Sequence, residues 1–159
     1  MRIRSFQKSD LPVLIDLTIE TFRVLFEDDL PVLIGPDVFA HDHGDWKNDY
    51  RREVPTLHDP GSDKFVIVAE EAGQILGYVG WQLDSAGTGR LEMVAVHPSA
   101  QRRGVATALC RHAVEELRLR GAAVVHVGTG GDAFHAPARR LYESLGFIGW
   151  PVVDYAKAL

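Results

Sequence analysis

Apolar and polar residues alternate from Met1 to Phe6, which predicts a first strand. Ser9 can cap a following helix, with Pro12 tolerated in its first turn. Leu14, Leu17, Thr18, Phe22 and Leu25 then recur at helical spacing. This helix is expected to fade near Asp28-Asp29-Leu30-Pro31, before a turn at Gly35-Pro36-Asp37. Val38 to Glu53 is polar, with Phe39, Trp46 and Tyr50 embedded. A second helix is expected over 45–53 and stopped by Pro55, because the residue before proline avoids helical geometry. After a loop at His58-Asp59-Pro60-Gly61, Lys64 to Glu70 and Gln74 to Leu83 read as a hairpin about Glu71-Ala72-Gly73. A second turn spans 85–89, and Leu91 to Val96 is a further strand. A long amphipathic helix runs from Val105 to Arg120 and stops at Gly121. Ala122 to Val127 is apolar enough for a strand buried on both faces. Pro137 opens a last helix that Gly146 closes, and Val152 to Leu159 is expected as a final strand. The order is strand, two helices, three strands, helix, strand, helix, strand. It predicts an α/β fold whose mixed sheet is antiparallel in its hairpins and parallel across the helical crossover.

The stretch Gln101-Arg102-Arg103-Gly104-Val105-Ala106 joins the strand ending at His97-Pro98 to the long helix. Backbone N–H groups at a helix start have no partner inside the helix, and the helix dipole adds partial positive charge there. Gly104 has no side chain, so an anion can approach the backbone closely. Arg102 and Arg103 add donors suited to phosphate oxygens. The expected ligand is a phosphate or pyrophosphate.

Composition narrows the choices. A chain of 159 residues suits one domain spanning 1–159, and 46% hydrophobic residues support a full core. No run of 18 apolar residues offers a membrane span, and Met1 to Phe6 lacks the apolar stretch of a signal peptide, so a cytoplasmic protein is expected. The formal charge of −5 argues against nucleic-acid binding, which needs a basic face. Cys110 is the only cysteine and reads as a small buried residue, since no adjacent base is suggested.

Two signatures resemble those of the GNAT superfamily of N-acetyltransferases. Gln101-Arg102-Arg103-Gly104-Val105-Ala106 matches that family's (Gln/Arg)-x-x-Gly-x-(Gly/Ala) pyrophosphate loop, after a strand, Leu91 to Pro98, similar to the family's fourth. Ala138 to Phe147, reading Ala-Arg-Arg-Leu-Tyr-Glu-Ser-Leu-Gly-Phe, looks like its Leu-Tyr-Glu-x-x-Gly-Phe signature about forty residues on. The close resemblance covers residues 64–159, and the N-terminal third matches in outline. It implies a sheet of about six to seven strands flanked by about four helices, with strands four and five splayed around acetyl-CoA as co-substrate. The backbone of Val94, Ala95 and Val96 would bond the pantetheine arm. Gln101, Arg102, Arg103, Gly104, Val105, Ala106 and Thr107 would hold the pyrophosphate, with Ala138 beside the cofactor. Tyr142 would be the general acid for the departing thiolate. Histidine at 135 stands where family members often carry asparagine against the cofactor arm. It either keeps that contact or serves as a cap or surface residue.

Glu92 lies in a strongly apolar strand. It either faces solvent or is held in the site as a base, where burial would raise its pKa toward neutrality. The implied activity is transfer of an acetyl group to a primary amine of a small molecule or peptide. A non-catalytic acyl-CoA-binding regulator is the alternative, and a homodimer is possible. Carboxylates crowd the two N-terminal helices: Asp16, Glu20, Glu27, Asp28 and Asp29, then Asp42, Asp45, Asp49 and Glu53. They either steer a cationic amine inward or simply solvate the surface. Two further motifs have rival readings. Gly128 to Ala133 fits G-x-G-x-x-(G/A) with Asp154 about twenty residues on, yet too few residues follow for a dinucleotide-binding domain, and a turn lining the site fits better. His41-Asp42-His43 resembles a metal cluster by composition only and lacks a third ligand of defined spacing.

Overall fold

The chain is described over residues 1–159 by a computed structural model. Strand β1 (Arg2–Ser5) leads through a 3-10 turn into helix α1 (Leu11–Val24). A π-helical turn, Leu25–Asp29, joins α1 to α2 (Leu30–Ile34), and α3 (Pro36–His43) and α4 (Trp46–Glu53) follow. Strands β2 (Lys64–Glu71), β3 (Gln74–Leu83) and β4 (Thr88–Val96) come next, then α5 (Val105–Leu119), β5 (Val124–Val127) and α6 (Ala136–Ser144). No helix is long and apolar enough to cross a membrane.

The strands form one sheet in the order β1-β2-β3-β4-β5, antiparallel except for the β4–β5 pair. Alternation along the central strands sends side chains to two separate cores. Ile67, Val79, Trp81, Leu91 and Val96 pack with Val105, Leu109, Ala113 and Leu117 of α5 and with Tyr142 of α6. Val66, Val68, Tyr78 and Ala95 pack on the other face with Leu14 and Leu17 of α1 and with Val54 and Leu57, just after α4. The buried Thr18 hydroxyl satisfies the Tyr78 phenol at 2.6 Å, so the second core closes without an orphaned hydroxyl.

The entry to α1 is fixed by charge. Asp10, 6% exposed, accepts from the Gln7 backbone N–H at 2.8 Å and from Arg4, whose guanidinium also reaches Glu70. The Arg4 guanidinium holds the Asp10 carboxyl below its usual range against the opposing effect of burial. Ser9 therefore does not cap the helix as expected: Asp10 takes the free N–H.

Three further expectations are corrected. The turn and polar stretch after residue 35 are helical from Pro36 to His43, because Gly35 takes φ 86° and Pro36 is preset for a first helical turn. Residues 148–159 form no strand. They make no backbone–backbone hydrogen bond, Pro151 offers no N–H, and Tyr155 is 94% exposed. The sheet consequently has five strands, and β5 is its edge. Val124 is exposed there, where burial on both faces was expected.

At Gly77, a Cβ would lie 2.7 Å from the Ala95 carbonyl oxygen and 3.1 Å from the Val96 Cα, both fixed by the β3–β4 ladder. Gly77→Ala should lower stability by about 1–3 kcal/mol, the usual cost of overpacking. The measurement is the urea midpoint, and a midpoint equal to that of the parent chain would contradict the close β3–β4 approach.

Candidate active site

β4 and β5 run together only briefly. Thr88 to Leu91 pairs with Val124 to Val127, and beyond Leu91 the strand β4 keeps only β3 as a neighbour. β5 ends because the chain turns away at Gly128 into the 128–135 loop. A V-shaped gap therefore opens along residues 92–96. The His97 N–H donates to Leu76 O at 2.9 Å, toward β3. By the alternation of a strand, the Val96 carbonyl turns the other way, into the gap. There it accepts from Gln101 Nε2 at 3.1 Å and Thr21 Oγ1 at 3.2 Å. The same alternation turns the polar groups of Val94 to the open side, and Ala95 to β3.

At the top of this gap lies the 101–107 turn. None of the six successive N–H groups from Arg102 to Thr107 finds an acceptor within the chain, and α5 has no side-chain cap. Gly104 has φ 78°, and the space where a Cβ would stand is empty. Arg102 also adopts a left-handed backbone, φ 59°. Arg103 is tied to Glu71 at 2.6 Å and holds that carboxyl below its usual range, whereas Arg102 makes no ion pair. A row of free donors at the start of a 15-residue helix suits a polyanion such as a pyrophosphate.

Glu92 owes its position to a β-bulge. Gly80 faces Met93 and Trp81 faces Leu91, so Glu92 is the extra residue in β4. The Glu92 carboxylate accepts from Gln82 Nε2 at 2.6 Å and lies 3.7 Å from Arg90 Nε. It lines a cavity of about 240 Å³ with Glu53, Thr56, Leu57, Lys64 and Gln82. Glu92 is an exposed residue whose side chain, one-third exposed, borders this cavity.

Tyr142 projects from α6 into the α5 core, 8% exposed. Burial, and secondarily the nearby Cys110, push its phenol pKa above the ordinary value, and its hydroxyl has no hydrogen-bond partner in the chain. The Cys110 thiol is pushed up to about 12 by burial, which suits the inert core residue expected. Glu92 and Tyr142 approach β4 from opposite faces of the sheet.

His135 occupies the N-cap position of α6, and its side chain makes no capping bond to the helix. Its Nδ1 is hydrogen-bonded to Asp132 Oδ2 at 2.7 Å, and its N–H donates to Asp132 Oδ1 at 3.1 Å. Burial would raise the Asp132 carboxyl, but these bonds hold it below its usual range. Arg139 Nη1 donates to the Gly130 and Asp132 carbonyls. The glycine-rich segment expected to be a turn is pinned by these bonds, and Phe134 rests on Phe22 of α1. His41 bonds the neighbouring Asp42 at 2.7 Å, and the His43 ring packs on Phe26 and Phe39.

Sequence reasoning missed the pairing of Asp132 with His135, although a carboxylate three residues before a helix-start histidine is a local signal. It also missed the meeting of Glu53 with Glu92, which comes from distant segments and has no local signal.

The sequence model of the Acetyltransferase (GNAT) family matches residues 19–147. A mycothiol acetyltransferase of Acidothermus cellulolyticus is 32% identical over 155 residues, covering 85% of this chain and 46% of that protein. The chain spans about half the length of the mycothiol acetyltransferases it matches over most of its length. Among solved structures, an aminoglycoside 6'-N-acetyltransferase from Acinetobacter haemolyticus superposes with a TM-score of 0.68 at 18% identity, covering 100% of this chain and 99% of that one. Another aminoglycoside N-acetyltransferase, in complex with CoA, superposes with a TM-score of 0.64 at 18% identity, covering 99% and 100%. With its sheet parting after Leu91 and its family match running through both signatures, this chain belongs to the GNAT family of acetyltransferases.

Proposed function

We propose that residues 1–159 form one catalytic domain that transfers an acetyl group from acetyl-CoA to a primary amine by direct attack. The observation that carries this reading is the row of unpartnered N–H groups, Arg102 to Thr107, beside a strand whose polar groups open into a gap. The sequence relatives named as mycothiol acetyltransferases support a small-molecule acceptor.

Acetyl-CoA supplies an activated thioester carbonyl. The N–H groups of Arg102, Arg103, Gly104, Val105, Ala106 and Thr107 bind the pyrophosphate, and the unpaired Arg102 side chain adds a charged donor. Gln101 acts indirectly: its amide holds the Val96 carbonyl and fixes the strand end. The remaining open-side groups of Val94 and Val96 orient the pantetheine arm, with Ala95 holding the register to β3. A backbone N–H of this stretch polarises the reacting carbonyl. Ala138, half-buried on the first turns of α6, and His135, oriented by Asp132, line the other wall.

Proton traffic falls to two side chains. Glu92 takes the amine proton through water. Tyr142 keeps its proton at neutral pH because burial disfavours the phenolate, and its free hydroxyl can donate to the departing sulfur.

Thiol release from acetyl-CoA, screened against polyamines, aminoglycosides, amino acids and peptide N-termini, tests the assignment. At least one amine should release CoA in step with its own acetylation. CoA binding without release by any amine would favour the non-catalytic regulator. Gly104→Asn keeps a residue that tolerates φ > 0 while filling the empty space at the turn. It should remove most of the rise in Tm that acetyl-CoA gives the parent chain. An undiminished rise in the folded variant would place the pyrophosphate elsewhere. Tyr142→Phe retains the ring in the α5 core and deletes only the hydroxyl. It should lower kcat by about ten- to a thousandfold with acetyl-CoA affinity nearly intact. Unchanged kcat would leave Tyr142 a packing residue.

A further inference from the structure

Much of the acidic charge on the N-terminal helices is matched inside the chain. Asp45 and Asp49 both bind Arg52, Glu27 binds Lys47 and Arg23, and Glu20 binds Arg23. Glu53 is different. It closes the last turn of α4, and its carboxylate has neither an ion pair nor a hydrogen bond. The chain continues into a 3-10 turn at Val54–Thr56, whose buried Val54 anchors the segment to the sheet. That anchor sets Glu53 on one wall of the 240 Å³ cavity, with Glu92 on another.

The electrostatics of the cavity are unbalanced. Glu53 is solvent-exposed at the mouth of the cavity, and partial desolvation there, with the charges of Glu92 and Asp49, raises its carboxyl above the usual range. Lys64 of β2 also lines the cavity but pairs with neither glutamate. Arg90 lies beside Glu92 at 3.7 Å and is outside the cavity lining. The lining thus holds two carboxylates against one ammonium, and Glu53 has no compensating donor. A carboxylate raised by partial desolvation and by a like charge is relieved by a bound cation. The bulge puts Glu92 where β4 leaves β5, so this cavity adjoins the gap assigned to the thioester.

We propose that Glu53 is a specificity-determining residue of the acceptor site, holding a cationic primary amine jointly with Glu92. The inference rests on the acetyl-transfer reading and adds the residue that selects charge. A primary ammonium has three N–H donors, so it can bond the Glu53 carboxylate directly and reach Glu92 through one water, both by charge-assisted hydrogen bonds. Its proton then passes to Glu92 through water, and the neutral amine that remains is the nucleophile. Glu53 stays ionised and acts in binding.

The test is calorimetric titration of the CoA-loaded protein with 1,4-diaminobutane and with 1,4-butanediol, its neutral counterpart. The diamine should bind and the diol should not. Glu53→Gln should weaken diamine binding about tenfold, the order expected for loss of one charge-assisted hydrogen bond, while CoA affinity stays the same and Tm does not fall. In steady state the same variant should raise KM for the amine and leave kcat in place, since it removes binding common to ground and transition states. Equal diamine affinity in parent and variant overturns the inference. So does equal affinity for the diol, or failure of a CoA-binding protein to bind the diamine. Loss of CoA binding in the parent chain would instead sink the acetyl-transfer reading, and this inference with it.

Discussion

Everything in the candidate site depends on the parting of two parallel strands. β4 and β5 share a ladder for four residues each and then separate. A strand cannot leave its polar groups bare at that depth without some partner. The chain supplies part of the answer itself, by sending Gln101 and Thr21 to the Val96 carbonyl. The rest of the open edge is left for whatever enters the gap. The same logic holds one turn further on, where six N–H groups at the start of α5 have no protein acceptor. The two sets of unmet hydrogen bonds are adjacent in sequence, so one extended ligand can satisfy both.

The faces of the sheet divide the labour. α5 and α6 cover one side with a core dense enough to bury Tyr142 and to keep Cys110 protonated. α1 and the segment after α4 cover the other and leave a polar cavity at its edge. Because β4 is shared by both cores, a proton acceptor on one face and a proton donor on the other can address the same gap. Side-chain ties fix both ends: Arg4 with Asp10 and Glu70 at the first helix, and at the last Arg139 with the Gly130 and Asp132 carbonyls and Asp132 with His135.

Elements with a strong period were legible in the sequence. The β2–β3 hairpin, β4, the long α5 and the helix after Pro137 lie close to where alternation and helical spacing put them. The turn at 101–107 was legible as well, since glycine and arginines at a strand-to-helix junction carry their own chemistry. The misses have physical causes. Residues 36–43 have no buried side chain, so no apolar stripe announced that helix. Val152 and Val153 have strand propensity but no ladder to join. Arg103 looked free for phosphate, and its link to Glu71 spans 32 positions. Glu53 was indistinguishable from its acidic neighbours until the fold set it in one cavity with Glu92.

The bulge at Glu92 has a consequence for how such a chain can change. Leu91 faces the α5 core, while Met93 packs toward the α1 core, so the strand switches sides across residue 92. A strand without an insertion would have alternated there anyway, with Leu91 and its immediate successor on opposite faces. Glu92 is therefore supernumerary to the packing. Excising that single codon would leave its neighbours on the faces they already occupy and would remove only the carboxylate. The packing of the two cores and the presence of this carboxylate are therefore separable by one insertion or deletion.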